Sequence, residues 1–165
     1  MICTKSRTIF RNILKWALTV AVVGWCIFIW QFSFAPAAKS AETSSNVQEI
    51  CNEILESIGS EKQVTSHTVR KTAHFTEFFV LGALAVAALT AHGFRHPLFL
   101  SPLVFLPAAV IDECIQLLAP ARGPSVLDVL LDTLGGICGA CLFFAVFSAL
   151  LYIINKSREK ISKTT

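Results

Sequence analysis

Residues 133–155 read TLGGICGACLFFAVFSALLYIIN, without one Asp, Glu, Lys, Arg or His. A helix on the surface of a soluble domain carries a polar stripe along one face, and this stretch has none. A membrane-spanning helix needs about 20 mainly apolar residues, within a range of about 17–25. The stretch is therefore read as a span. Working outward, residues 16–34 are equally free of ionisable groups. Two further stretches are uncharged only over 78–91 and 97–111, and reach spanning length only if 72–92 and 97–118 are helices with polar ends. The expectation is an all-α integral membrane protein: one domain over 1–165, with four transmembrane helices in an antiparallel bundle. The spans are placed at about 14–35, 72–92, 97–118 and 126–155. A composition that is 54% hydrophobic with a mean hydropathy of +0.63 agrees, and argues against an ordinary soluble domain.

Lysines and arginines orient the bundle. Lys5, Arg7, Arg11 and Lys15 precede the first span, and Lys156, Arg158, Lys160 and Lys163 follow the last. Positive flanks mark the cytoplasmic face, so a multi-pass protein of the cell membrane with both termini cytoplasmic is predicted. Of the eleven acidic residues, only Glu159 then lies inside. The net charge of +3 expresses this topology, and no basic patch with interleaved aromatics suggests nucleic-acid binding. Ala35-Pro36-Ala37 resembles a signal-peptidase site, but the uncharged run before it is longer than the usual 7–15 residues of a signal core. Trp16, Trp25 and Trp30 suit a retained membrane anchor.

The six cysteines show no disulfide framework. Cys138-Gly-Ala-Cys141 has redox-like spacing but falls mid-membrane, where it reads as small packing residues. Gly135 and Gly139 form a G-x-x-x-G path that allows close helix approach, within the bundle or in a homo-oligomer. Between the first two spans, Val47, Ile50, Cys51, Ile54, Leu55 and Ile58 recur at helical spacing opposite Glu49, Asn52, Glu53 and Glu56. An outer amphipathic helix is predicted at 46–58, started by a Ser45/Gln48 capping box and stopped by Gly59.

The ionisable groups beside the spans all fall at one predicted membrane level. Charge in or beside spanning segments is costly and points to function by default. Arg70, Lys71, His74 and Glu77 lie at the start of the second span, spaced to adjoin on a helix surface. Asp112, Glu113 and Gln116 lie near the end of the third, where the helix dipole disfavours anions and a cationic partner is needed. Arg122 sits in the next loop, and Asp128 and Asp132 open the fourth span.

These residues resemble the VanZ-like membrane-protein family. The likeness lies in Arg70-Lys71-x-x-His74-Phe75-x-Glu77-Phe78-x-x-Leu81-Gly82, in Asp112-Glu113-x-x-Gln116, and in Arg122 followed by Asp128, Asp132, Gly135 and Gly139. Phe32-Ser33 with Ser40 and Ser44 resembles the family's exit from its first helix. Phe78 stands where the family often has Tyr, and Asp132 where it often has Asn or Asp. The resemblance implies a small polytopic cell-envelope protein whose namesake is linked to resistance to the glycopeptide teicoplanin; it names no reaction.

Three roles stay open at this level. In the first, Arg70, Lys71, Gln116, Arg122, Asp128 and Asp132 bind a membrane lipid or lipid-linked envelope molecule. In the second, His74, Glu77, Asp112 and Glu113 perform acid-base catalysis on a lipid-linked glycan, as a hydrolase or transferase. The third, a small transporter, lacks the repeats and broken helices such proteins use. A static ion network would use the same residues. No cofactor is assigned; the same His and carboxylates leave a metal open, but without a dedicated zinc spacing no metal ligand is named.

Overall fold

A computed structural model describes residues 2–34, 37–60, 62–118 and 125–164, with side chains over 8–34, 39–60, 62–118 and 125–161. The described residues are all-helical outside short turns: α1 (Ile2–Ser33), α2 (Ala37–Ser57), α3 (Ser66–His92), the single turn α4 (Pro97–Leu100), α5 (Pro102–Leu118) and α6 (Val126–Thr164). Four stretches are long and apolar enough to cross a membrane: Thr8–Ser33, Ser66–His92, Pro97–Leu118 and Val126–Ile161. They fit a multi-pass membrane protein. Large side chains such as Val20, Phe99, Leu103 and Leu130 are exposed on these helices, as lipid-facing positions should be.

The helices run farther than the sequence predicts. α3 begins at Ser66, where the Thr65 hydroxyl accepts the Thr68 N–H at 3.2 Å, an N-cap of the usual kind. It stops at Gly93, whose φ of 85° reverses the chain. The third span runs Pro97–Leu118 as predicted, with Ser101 between α4 and α5 keeping helical angles of φ −60° and ψ −32°, and Pro107 lies inside α5. The amphipathic helix differs most, because α2 starts at Ala37 instead of near residue 46. Ser45 is thus an interior residue and the predicted capping box is not used. The Ala-rich start has high helix propensity, and the Thr43 hydroxyl is satisfied on the Lys39 carbonyl at 3.0 Å. Gly59 does stop the helix, at φ 78°, with Ser60 N–H bonded to the Leu55 carbonyl.

α3 is the hub, packed against α1, α2, α5 and α6. Ile29, Phe78, Leu81, Val86, Phe105, Ala108, Ala109 and Ala140 form the core. Phe78 is fully buried there, so a hydrophobic ring fills this position. The closest packing is between α3 and α6. A Cβ on Gly82 would run into the Gly136 carbonyl, one on Gly135 into the Phe75 carbonyl, and one on Gly139 into the Phe79 carbonyl. The Gly135/Gly139 path is therefore buried within the chain against α3. Trp25 and Trp30 also act inside the bundle: Trp25 Nε1 donates to the Glu77 carbonyl at 2.8 Å and Trp30 Nε1 to the Ala108 carbonyl at 3.2 Å. These bonds tie α1 to α3 and α5.

Overpacking a tight contact typically costs about 1–3 kcal/mol. Gly139→Val is expected to lower the unfolding midpoint in detergent through its clash with Phe79, whereas Gly24→Ala, with nothing within 4 Å of the added methyl, leaves it unchanged or slightly higher. Thermal unfolding of the two purified variants beside the parent checks this contrast.

Candidate functional site

The antiparallel arrangement gathers the predicted polar residues at one end of the bundle, away from both chain termini. The end of α1, the start of α3, the end of α5 and the start of α6 meet there. Asp112 is fully buried, Asp132 is 1% exposed, and Glu113 and Gln116 are buried beside them. Such groups are tolerated only where hydrogen bonds or opposite charges replace water.

Asp112 is the most completely held. Ser33 on α1 donates its hydroxyl to Oδ1 at 2.6 Å, and Gln116, one turn along α5, donates Nε2–H to Oδ2 at 2.9 Å. His74 on α3 faces the same carboxylate, with Nδ1 3.9 Å from Asp112 Oδ2 and also 3.9 Å from Glu77 Oε2. The imidazole thus stands between two carboxylates from different helices. Asp132 comes from α6. One ligand atom from each of His74, Asp112 and Asp132 lies within 4.8 Å of the other two.

Other predicted residues have separate duties. Lys71 Nζ pairs with Asp128 Oδ1 at 3.3 Å, joining α3 to the first turn of α6 on a half-exposed surface. Glu113 Oε2 accepts the backbone N–H of Ser125 at 2.9 Å, securing the start of α6. Arg70 lies on a groove and not on the buried carboxylates. Arg122, predicted as a cationic partner, lies outside the described residues. Among the described residues, no Lys or Arg forms an ion pair with Asp112 or Asp132.

Two adjoining grooves open at this end. One, of about 480 Å³, is lined by Gln31, Lys39, Ser40, Thr43, Arg70, His74 and Glu77. The other, of about 530 Å³, is mainly apolar, with Trp25, Phe28, Val47, Cys51 and Val80. Val47, Val69, Ala73 and Glu77 border both.

Ser33, Gln31, Lys39 and Thr43 were absent from the sequence-derived site. Ser33 had a signal, the Phe32-Ser33 likeness, but a serine at a helix end reads first as a cap. The other three lie on α1 and α2, whose position over α3 is a tertiary feature.

The fold and site define a small polytopic membrane protein with a buried carboxylate-histidine cluster under an amphipathic groove. The chain belongs to the VanZ/LLP1 family, whose profile matches residues 18–159. No curated protein and no solved structure matches it.

Leaving a buried donor unsatisfied costs about 1–3 kcal/mol. Asp112→Ala removes the acceptor of the buried Gln116 amide and one hydrogen bond of Ser33, and is expected to destabilise the bundle by about that amount. Lys71→Ala removes a half-exposed pair of the kind worth about 0.2–1 kcal/mol. Equilibrium unfolding in detergent should therefore rank Asp112→Ala well below Lys71→Ala.

Proposed function

We propose that this VanZ-like cell-envelope protein binds an anionic amphiphile, a membrane lipid or a lipid-linked envelope molecule, at the outer leaflet. One observation carries the reading: a cationic, hydroxyl-rich groove runs into an apolar one, with shared walls. Arg70 and Lys39 meet a phosphate or carboxylate, Ser40 and Thr43 donate hydroxyl hydrogen bonds, and acyl or prenyl carbons lie against Trp25, Phe28 and Val80. A guanidinium suits such a head group because its forked donors match a bidentate oxyanion. Ligands of this kind are large, and the combined grooves give them a polar and an apolar compartment. Arg122, four residues after the end of α5 in the sequence, is a further candidate contact. The family's link to teicoplanin resistance makes lipid-linked cell-wall precursors a ligand class to include, and altered glycopeptide susceptibility a consequence to measure.

Arg70→Ala removes a charge-assisted hydrogen bond worth about 1.5–3 kcal/mol. An affinity loss of roughly 10- to 100-fold for phosphate-bearing lipids is expected, read by titration native mass spectrometry of the full-length protein. Equal affinity of parent and variant across anionic and zwitterionic lipids would overturn the reading.

The outer-leaflet placement has its own test. The basic flanks at both ends support a topology with both termini in the cytoplasm. A fluorescent fusion that matures only inside the cell should shine at the C-terminus, and a cysteine introduced at exposed Glu53 should react with an impermeant maleimide added to intact cells. The reversed pattern would move the grooves to the inner leaflet.

A second reading rests on the imidazole between Glu77 and Asp112. A histidine so placed can exchange a proton with a ligand in the groove that His74 and Glu77 line, as a hydrolase or transferase on a lipid-linked glycan requires. Product formation from a lipid-linked glycan, abolished by His74→Gln while lipid binding survives, distinguishes it from binding alone.

A further inference from the structure

We infer that His74, Asp112 and Asp132 form a binding site for a divalent transition-metal ion, Zn²⁺ or Mn²⁺. The three ligands come from α3, α5 and α6, and their atoms already lie within 4.8 Å of one another. Proximity of acidic groups alone would not carry this. The second observation is Asp132, which is 1% exposed and whose two carboxylate oxygens have no hydrogen-bond partner among the described residues. A buried ionised carboxylate without a donor or a counter-charge costs several kcal/mol, so a cation or a proton must neutralise it. Among the described residues no Lys or Arg does so, since Lys71 is engaged with Asp128.

The arrangement around Asp112 has the form of a supported ligand. Ser33 and Gln116 each bond one of its oxygens, which fixes the carboxylate plane while leaving each oxygen a further lone pair. Outer-shell donors orient metal-binding carboxylates in this way. Zinc ligands at about 2.0–2.2 Å stand about 3.3 Å apart in a tetrahedron, so the three side chains must draw together by roughly 1 Å. Side-chain rotation supplies such a shift without moving the helices.

Donor chemistry narrows the ion to divalent first-row metals, of which zinc and manganese are the probes. One imidazole with two carboxylates is a mixed nitrogen-oxygen set. Calcium and magnesium favour all-oxygen sites, whereas copper(I) and iron-sulfur clusters favour sulfur. Zinc and manganese accept the mixed set, and three protein ligands leave a position open. Glu77, 3.9 Å from His74 Nδ1, is near enough to support the site. His74 and Glu77 also line the polar groove, so the open position faces the place where a head group would sit. Only this last relation depends on the amphiphile reading; metal binding itself does not.

The test uses full-length protein purified in detergent through a histidine-free tag, stripped with a chelator and dialysed against Zn²⁺ or Mn²⁺ alone. Metal analysis should find about one ion per chain, and Mn²⁺ should show the electron paramagnetic signature of a bound ion. Asp132→Asn, nearly isosteric, and His74→Gln should each lower affinity by at least about 10-fold, and Gln116→Ala, a positioning change, by about 10-fold or more. The ion should raise the unfolding midpoint of the parent but not of Asp132→Asn, which also reports that the variant is folded. Parent protein that retains no ion above background overturns the proposal, as does binding undiminished in both Asp132→Asn and His74→Gln. Metal binding that arises only in Arg122→Ala also overturns it, by identifying Arg122 as the resident counter-charge. Because no lipid is present, failure here leaves the amphiphile reading standing, and loss of lipid binding leaves the metal site standing.

Discussion

The contact between α3 and α6 at Gly82, Gly135 and Gly139 is the constraint on which the polar end depends. Without side chains at these positions the two backbones approach closely enough for carbonyl groups to occupy the space a Cβ would need. In a membrane, where lipid tails are as apolar as the helix surfaces, close packing of this kind is a main source of helix association. Gly135 lies against Phe75, the residue after His74, and Asp132 lies one turn before Gly136. The packing that joins the helices thus also sets the height at which His74 and Asp132 face each other. A bulky residue on this path would separate the ligands as well as the helices.

α1 and α5 complete the arrangement by hydrogen bonding. Trp25 and Trp30 donate to backbone carbonyls of α3 and α5, and Ser33 donates to Asp112. In water such bonds make small net contributions, because the separated groups bond to solvent instead. At the level where the membrane core begins, fewer alternatives exist, so the same bonds hold α1 in register. The tryptophans, which suit an interfacial belt by type, are therefore half-buried connectors. The site combines groups with different duties: Glu113 and the Lys71–Asp128 pair anchor the start of α6, while His74, Asp112 and Asp132 face one another.

Much of this was legible in the chain. The uncharged runs identify four spans because burying an unpaired charge in hydrocarbon is costly, a rule that acts locally and is readable from composition. The clustering of His74, Glu77, Asp112, Gln116 and Asp132 followed from topology, since alternate helix ends must share a membrane face. The true start of α2 was less legible, because Ala37–Ser57 opens with small polar residues whose local signal favours a loop as readily as a helix.

The amino-acid sequence by itself determined the class of the protein, the number of spans and the set of ionisable residues brought to one end. Each follows from transfer energetics and helix periodicity, which need no knowledge of neighbours. Only the tertiary structure decided how that set divides. It assigned Lys71 to Asp128 and Glu113 to the Ser125 amide, fastened Asp112 between Ser33 and Gln116, and left both oxygens of buried Asp132 without a hydrogen-bond partner among the described residues. Residues with the same charge and the same predicted depth differ in which neighbours their rotamers can reach. That depends on how closely the glycine path lets α6 approach α3, a distance set by packing between helices.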